Sequence, residues 1–176
     1  MRFRRIGGRE VWKGRMLAVR EERFVYDDGE EVKREVVDHP GAVAVVAHDG
    51  ERLYLVAHAR EAVGELELLE LPAGKLDEEG EDVLATAKRE LAEEIGKGAR
   101  SWQHLTTFWS SPGFSDEEIH VYLATDLYDE HAETDENERI EIETAPLSEL
   151  DRVIRDCKDS KSLVGLLWLK AMGDAE

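Results

Sequence analysis

Cysteine and long apolar runs are scarce in this sequence, and basic residues are few beside the acidic ones. One cysteine, Cys157, stands among 176 residues, which excludes an intramolecular disulfide. It falls in an expected helix and reads as a packing residue. Lysine plus arginine number 23 against 41 aspartates plus glutamates, for a formal net charge of −18. That balance excludes a broad basic face for nucleic acid. The apolar run Leu163 to Leu169 is far below the ~20 residues of a membrane-spanning helix. The basic start, Met1 to Gly8, has no apolar core behind it. The expectation is a soluble cytoplasmic protein with no membrane and no nucleic-acid partner. Six histidines are scattered without zinc-ligand spacing, and His39 and His58 read as structural or merely lining. No Gly-x-Ser-x-Gly elbow occurs. Asp77 to Asp82 is acidic but lacks the calcium-loop pattern.

What remains suits one domain with a small appendage. Residues 1 to about 37 read as an antiparallel strand pair or meander, with a hairpin-like turn at Asp27-Asp28-Gly29-Glu30. Ala42 to Ala47 is a continuous buried-strand run. Leu53 to Ala57 and Leu66 to Leu71 follow as strands, the latter ending at Pro72-Ala73-Gly74. Trp102 to Trp109, Ile119 to Ala124 and Arg139 to Glu143 read as further strands. Ser148 is expected to open a helix to about Asp156, and Ser160 or Ser162 another through Met172. Strands on both sides of a helix, then terminal helices, predict an α/β fold with a mixed sheet between helical layers.

Between Glu81 and Gly96 lies a helix with too many carboxylates on one edge. A step of roughly 100° per residue puts Leu84, Ala87, Leu91 and Ile95 on one buried stripe. Glu90 and Glu94 fall on its shoulder, with Glu93 beside them. Like charges at i,i+4 weaken an isolated helix, and burying unpaired carboxylates is costly. A divalent cation removes that cost, and hard oxygen ligands suit Mg2+ or Mn2+. Arg89 sits four residues before Glu93 and is placed to pair with it. Taken alone, the triplet also fits a solvated acidic face.

The longer pattern resembles the Nudix box, which runs Gly, five residues, Glu, seven residues, then Arg-Glu, an apolar residue, any residue, Glu-Glu, any residue, Gly and an apolar residue. Glu81, seven residues, and Arg89-Glu90-Leu91-Ala92-Glu93-Glu94-Ile95-Gly96 match in register. Two departures stand out. Six residues, not five, separate Gly74 from Glu81, and Lys97 replaces the final apolar residue. The insertion falls in the loop before the helix, where extra length costs little. The resemblance implies a Nudix-type α/β/α sandwich over residues 38–176, preceded by an N-terminal antiparallel strand extension over 1–37.

Other segments are similar to the ADP-ribose pyrophosphatase branch of that family. These are Glu70-Leu71-Pro72-Ala73-Gly74-Lys75, the stretch Ser111-Pro112-Gly113-Phe114-Ser115-Asp116-Glu117, and the acidic run Asp135-Glu136-Asn137-Glu138. Pro112 lies sixteen residues beyond Gly96, the spacing of a branch marker. The resemblance implies metal ligation by Glu90, Glu93, Glu94 and the Ala73 carbonyl. It implies a base at Glu136, with Glu138 as runner-up, and substrate contacts at Arg60, Arg34, Glu35 and Pro112. In that branch the extension builds a homodimer and part of the pocket. The implied reaction is Mg2+-dependent cleavage of a small nucleoside diphosphate, with ADP-ribose giving AMP and ribose 5-phosphate. Another nucleotide sugar, a dinucleotide such as NADH, or a non-catalytic nucleotide-sugar sensor remain as alternatives. The acid excess, with arginine favoured over lysine, also raises the expectation of adaptation to high salt.

Overall fold

The computed structural model describes residues 2–78, 80–132 and 140–173. The chain divides into two compact units: Met1–Gly41 with Phe108–Glu118, and Ala42–Thr107 with Ile119–Glu176. The first unit is built on a three-stranded antiparallel meander of β1 (Phe3–Lys13), β2 (Ala18–Tyr26) and β3 (Glu31–Asp38). Its second segment is pinned to the end of β3. Val37 N–H donates to Phe114 O at 2.7 Å and Asp116 N–H to Val37 O at 3.2 Å. Asp116 also takes Arg20 Nη2 at 2.6 Å and the His39 N–H at 3.0 Å.

The second unit is a seven-stranded mixed sheet. Its strands are β4 (Ala42–His48), β5 (Arg52–Arg60), β6 (Glu65–Glu70), β7 (Ala73–Lys75), β8 (Lys97–Trp109), β9 (Glu118–Asp129) and β10 (Ile140–Pro146). The main order is β10-β5-β4-β9-β8, with β6 on β5 and β7 on β4. β4 runs parallel to β9 and antiparallel to β5. It is apolar at nearly every position because both its faces are covered. Val43, Val45 and Ala47 pack with Ala87, Leu91 and Ile95 of α1 (Val83–Ile95). Val46, one pleat out of step, faces Gly165 of α3 (Ser160–Gly173). With α2 (Leu150–Asp156) packed against α3 and β10, helices cover both faces. This is the α/β/α sandwich expected from the sequence.

Local chemistry explains the helix ends. Asp82 caps α1 by accepting the Leu84 N–H, and Gly96 closes it in the left-handed region at φ 65°. Two expectations need correction. The chain at Ser148 forms a 3-10 turn, Leu147–Glu149, and α2 starts only at Leu150. At α3 the capping side chain is Asp159, whose carboxylate accepts the Ser162 N–H at 2.9 Å. A carboxylate is as good a cap as a hydroxyl and also favours the positive helix end. Among the described residues, no helix is long and apolar enough to cross a membrane, which leaves strand-built barrels unaddressed.

Candidate active site

Gly74 brings the turn and the helix together. β7 is only three residues long, held by Ala44↔Ala73, Val43↔Gly74 and Ala42↔Lys75 pairing with β4. The Ala73 N–H turns out of that ladder and donates to Glu94 Oε2 at 2.8 Å. A Cβ on Gly74 would lie 1.9 Å from the Glu90 carboxyl carbon, so only glycine lets that carboxylate rest on the turn. The box glycine thus works through close approach.

Arg89 gathers the remaining acids. Its Nη1 lies 2.9 Å from Glu90 Oε1 and 2.9 Å from Glu93 Oε2. Its Nε and Nη2 reach Glu81 at 3.3 and 3.1 Å. The Arg89 pairing with Glu93 is the one expected, and the bonds to Glu81 and Glu90 extend it. The extra residue before Glu81 leaves that side chain engaged with the helix. Glu81 also accepts the hydroxyl of fully buried Thr86 at 2.9 Å, an interaction not anticipated. Hydrogen bonds from Arg89 and Thr86 hold the Glu81 carboxyl below the ordinary range. Burial opposes the Arg89 charge, yet bonds to Glu81 and the charges of Glu90 and Glu93 raise its pKa.

Among the described residues no three His, Cys, Asp or Glu side chains form a ready-made ion cage. The donor chemistry nonetheless fits a hard divalent ion: carboxylate oxygens border a turn whose missing Cβ leaves them room. Glu136 and Glu138 lie outside the described residues. Arg60 ends β5 and clasps Glu70 through Nε at 2.6 Å and Nη2 at 2.8 Å, a partner the sequence did not bring forward.

In the first unit, Arg34 and Pro112 line one cleft of about 310 Å3 with Phe3, Phe24, Tyr26 and Phe114. Phe3 packs edge-on against Phe24 and Tyr26, with ring centres 5.5 and 6.0 Å apart. Glu35 is not brought into it: Val32, Arg34 and Val36 share the cleft side of β3, and Glu35 alternates to the other face. His39 is structural, its ring accepting the Gly41 N–H. A cavity of about 400 Å3 in the second unit, among β5, β6, β10, α2 and α3, is lined by none of the α1 carboxylates.

Comparison with known proteins places this geometry. Residues 38–164 match the NUDIX domain. The chain is 36% identical over 170 residues to an ADP-ribose pyrophosphatase of Bacillus subtilis (strain 168), covering 94% of this chain and 91% of that one. It is 44% identical over 126 residues to an ADP-ribose pyrophosphatase of Mycobacterium tuberculosis, covering 71% of this chain and 60% of that one. A crystal structure of an ADP compounds hydrolase superposes with a TM-score of 0.86 at 22% identity, over 99% of this chain and 96% of the other. That last likeness speaks for the fold. With the box helix and its arginine in register, the chain belongs to the Nudix family as a pyrophosphohydrolase of the ADP-ribose pyrophosphatase branch.

Proposed function

We propose that the protein hydrolyses the diphosphate of a small nucleoside diphosphate conjugate, ADP-ribose foremost, in a reaction that depends on Mg2+ or Mn2+. The observation that carries this reading is the Ala73–Gly74 turn lying directly on Glu94 and Glu90. Glu90, Glu93, Glu94 and the Ala73 carbonyl would hold the cation. When bound there, it neutralises phosphate oxygens and polarises phosphorus.

The chain's own groups do the rest. Arg89 orients Glu90 and Glu93, and Arg60 is the basic group assigned to a substrate phosphate. A carboxylate of the acidic run, Glu136 with Glu138 as runner-up, takes the proton of the attacking water. The water oxygen bonds to phosphorus, the bridging P–O bond breaks, and the bridging oxygen leaves on the second phosphate. ADP-ribose yields AMP and ribose 5-phosphate. Arg34 is a further basic group proposed for the base or ribose end, since a guanidinium stacks on a nucleobase.

A screen with Mg2+ over ADP-ribose, sugar nucleotides, NADH and nucleoside triphosphates, read as nucleoside monophosphate formed, tests the reading. Preference for ADP-ribose supports it, and inertness toward every diphosphate overturns it. Glu136→Gln and Glu138→Gln separate the two base assignments: the larger loss of turnover marks the base. We further propose a cytoplasmic homodimer formed through the 1–37 extension. Sedimentation at a single 20 kDa species would refute the dimer.

A further inference from the structure

Glu70 is the least exposed charged side chain among the described residues, with 1% of its surface open to solvent. A lone buried carboxylate is costly, and an apolar side chain of similar volume is often no less stable in such a place. Packing alone therefore gives little reason for an ion at the end of β6. Three groups surround it. Arg60 binds both its oxygens, through Nε and Nη2. Lys161 bonds to Oε2 of the same carboxylate and to Asp159 at 3.0 Å. Asp159 accepts the N–H and hydroxyl of Ser162, and the Ser162 oxygen accepts the Leu71 N–H at 2.7 Å. The start of α3 is thereby tied to the chain two residues before Ala73.

The quartet balances two cations with two anions, but its members are not equally buried. Glu70, Lys161 and Asp159 are enclosed, while the Arg60 side chain is 40% exposed. Because Nε and Nη2 are spent on Glu70, Nη1 lies on the opposite edge of the planar fork. The charge of Glu94 acts on the same guanidinium. Lys161 shares the Glu70 carboxylate, so Glu70 aims Arg60 without cancelling its charge toward an arriving anion.

We propose that Glu70, braced by Lys161 and Asp159, is the positioning residue that presets Arg60 to grip a phosphate of the substrate. This rests on the function proposed above. A preset arginine loses less freedom when the phosphate binds. Because the grip is present before and during reaction, its loss falls on KM.

Steady-state kinetics on ADP-ribose with Mg2+ test this, using Glu70→Gln, Glu70→Asp, Arg60→Ala and the double variant Arg60→Ala/Glu70→Gln, each with a thermal melt. Arg60→Ala and Glu70→Gln should each raise KM about tenfold, the scale of one charge-assisted hydrogen bond, with kcat within about twofold. The double variant should be no worse than Arg60→Ala. A merely structural Glu70 would add its penalty to that of Arg60→Ala, and additive losses overturn the proposal. Glu70→Asp keeps the charge and shortens the reach, so it carries the test should Glu70→Gln not fold. If Arg60→Ala raises KM while both Glu70 variants leave it unchanged, the positioning role is wrong and the pyrophosphatase reading stands. A wild-type protein that cleaves no diphosphate removes that reading, and this inference with it.

Discussion

Glu94 does two things that its amide analogue separates. It accepts the Ala73 N–H at 2.8 Å and, in the proposed function, would offer charge to a cation. Glutamine still accepts that N–H, so Glu94→Gln should melt near the wild-type temperature. Turnover should fall on the order of 10²-fold or more, because the charge is lost; near-normal turnover would remove Glu94 from the chemistry. Gly74→Ala acts by bulk. The new Cβ would sit 1.9 Å from the Glu90 carboxyl carbon, so a denaturant titration should show a loss of about 1–3 kcal/mol, together with lower activity. Glu70 carries a pH signature. Burial opposes its ionisation, but hydrogen bonds from Arg60 and the charge of Lys161 hold its pKa down at about 2. A depressed carboxylate stabilises the fold above its unfolded pKa, and that stability fades as pH falls toward the folded value. Wild type should therefore lead Glu70→Gln at pH 7. The lead should shrink between about pH 4.5 and pH 2. Half-exposed Arg60 discounts its size to on the order of 2 kcal/mol, and denaturation series at both pH values measure it.

At the scale of elements, α3 is seated by the lack of a side chain. A Cβ on Gly165 would come within 2.7 Å of Leu71 Cδ1 and 2.8 Å of Val46 Cγ2. Gly165→Val should thus cost about 1–3 kcal/mol by overpacking, read as a lower denaturant midpoint. The same elements show what a sequence reveals of a fold. β4 was legible because seven residues with almost no polarity imply cover on both faces. α1 was legible because the acidic edge and apolar stripe both repeat at the helical period. β7 was not: Ala73-Gly74-Lys75 has no strand propensity and becomes a strand only by pairing with β4. β8 and β9 extend beyond their expected limits to Lys97 and Asp129, since strand pairing carries on through polar residues. The Glu70–Lys161 contact spans 91 positions, and no local pattern announces a pair so distant. One signal was present: a glutamate between Leu69 and Leu71 in an expected strand.

Across the whole molecule, charge is divided unevenly. Residues 1–37 hold ten basic and eight acidic side chains, and residues 38–176 hold 13 and 33. Like charges at that density repel in the folded state, and salt screens them. Melting temperature should rise from low to molar salt if the acidity reflects a salty habitat; equal stability in both would dismiss the idea. Net charge was fully legible in composition, whereas which acids are neutralised by neighbours was not. Arg89 is the clearest case, since one guanidinium engages Glu81, Glu90 and Glu93 together. The helix consequently carries a resident counter-ion of its own. On the proposed function, loading a divalent ion would be an exchange of partners, and its removal would return the acids to their arginine. Chelation should silence such an enzyme reversibly while barely touching its melting point, the reverse of a zinc finger, which comes apart with its ion.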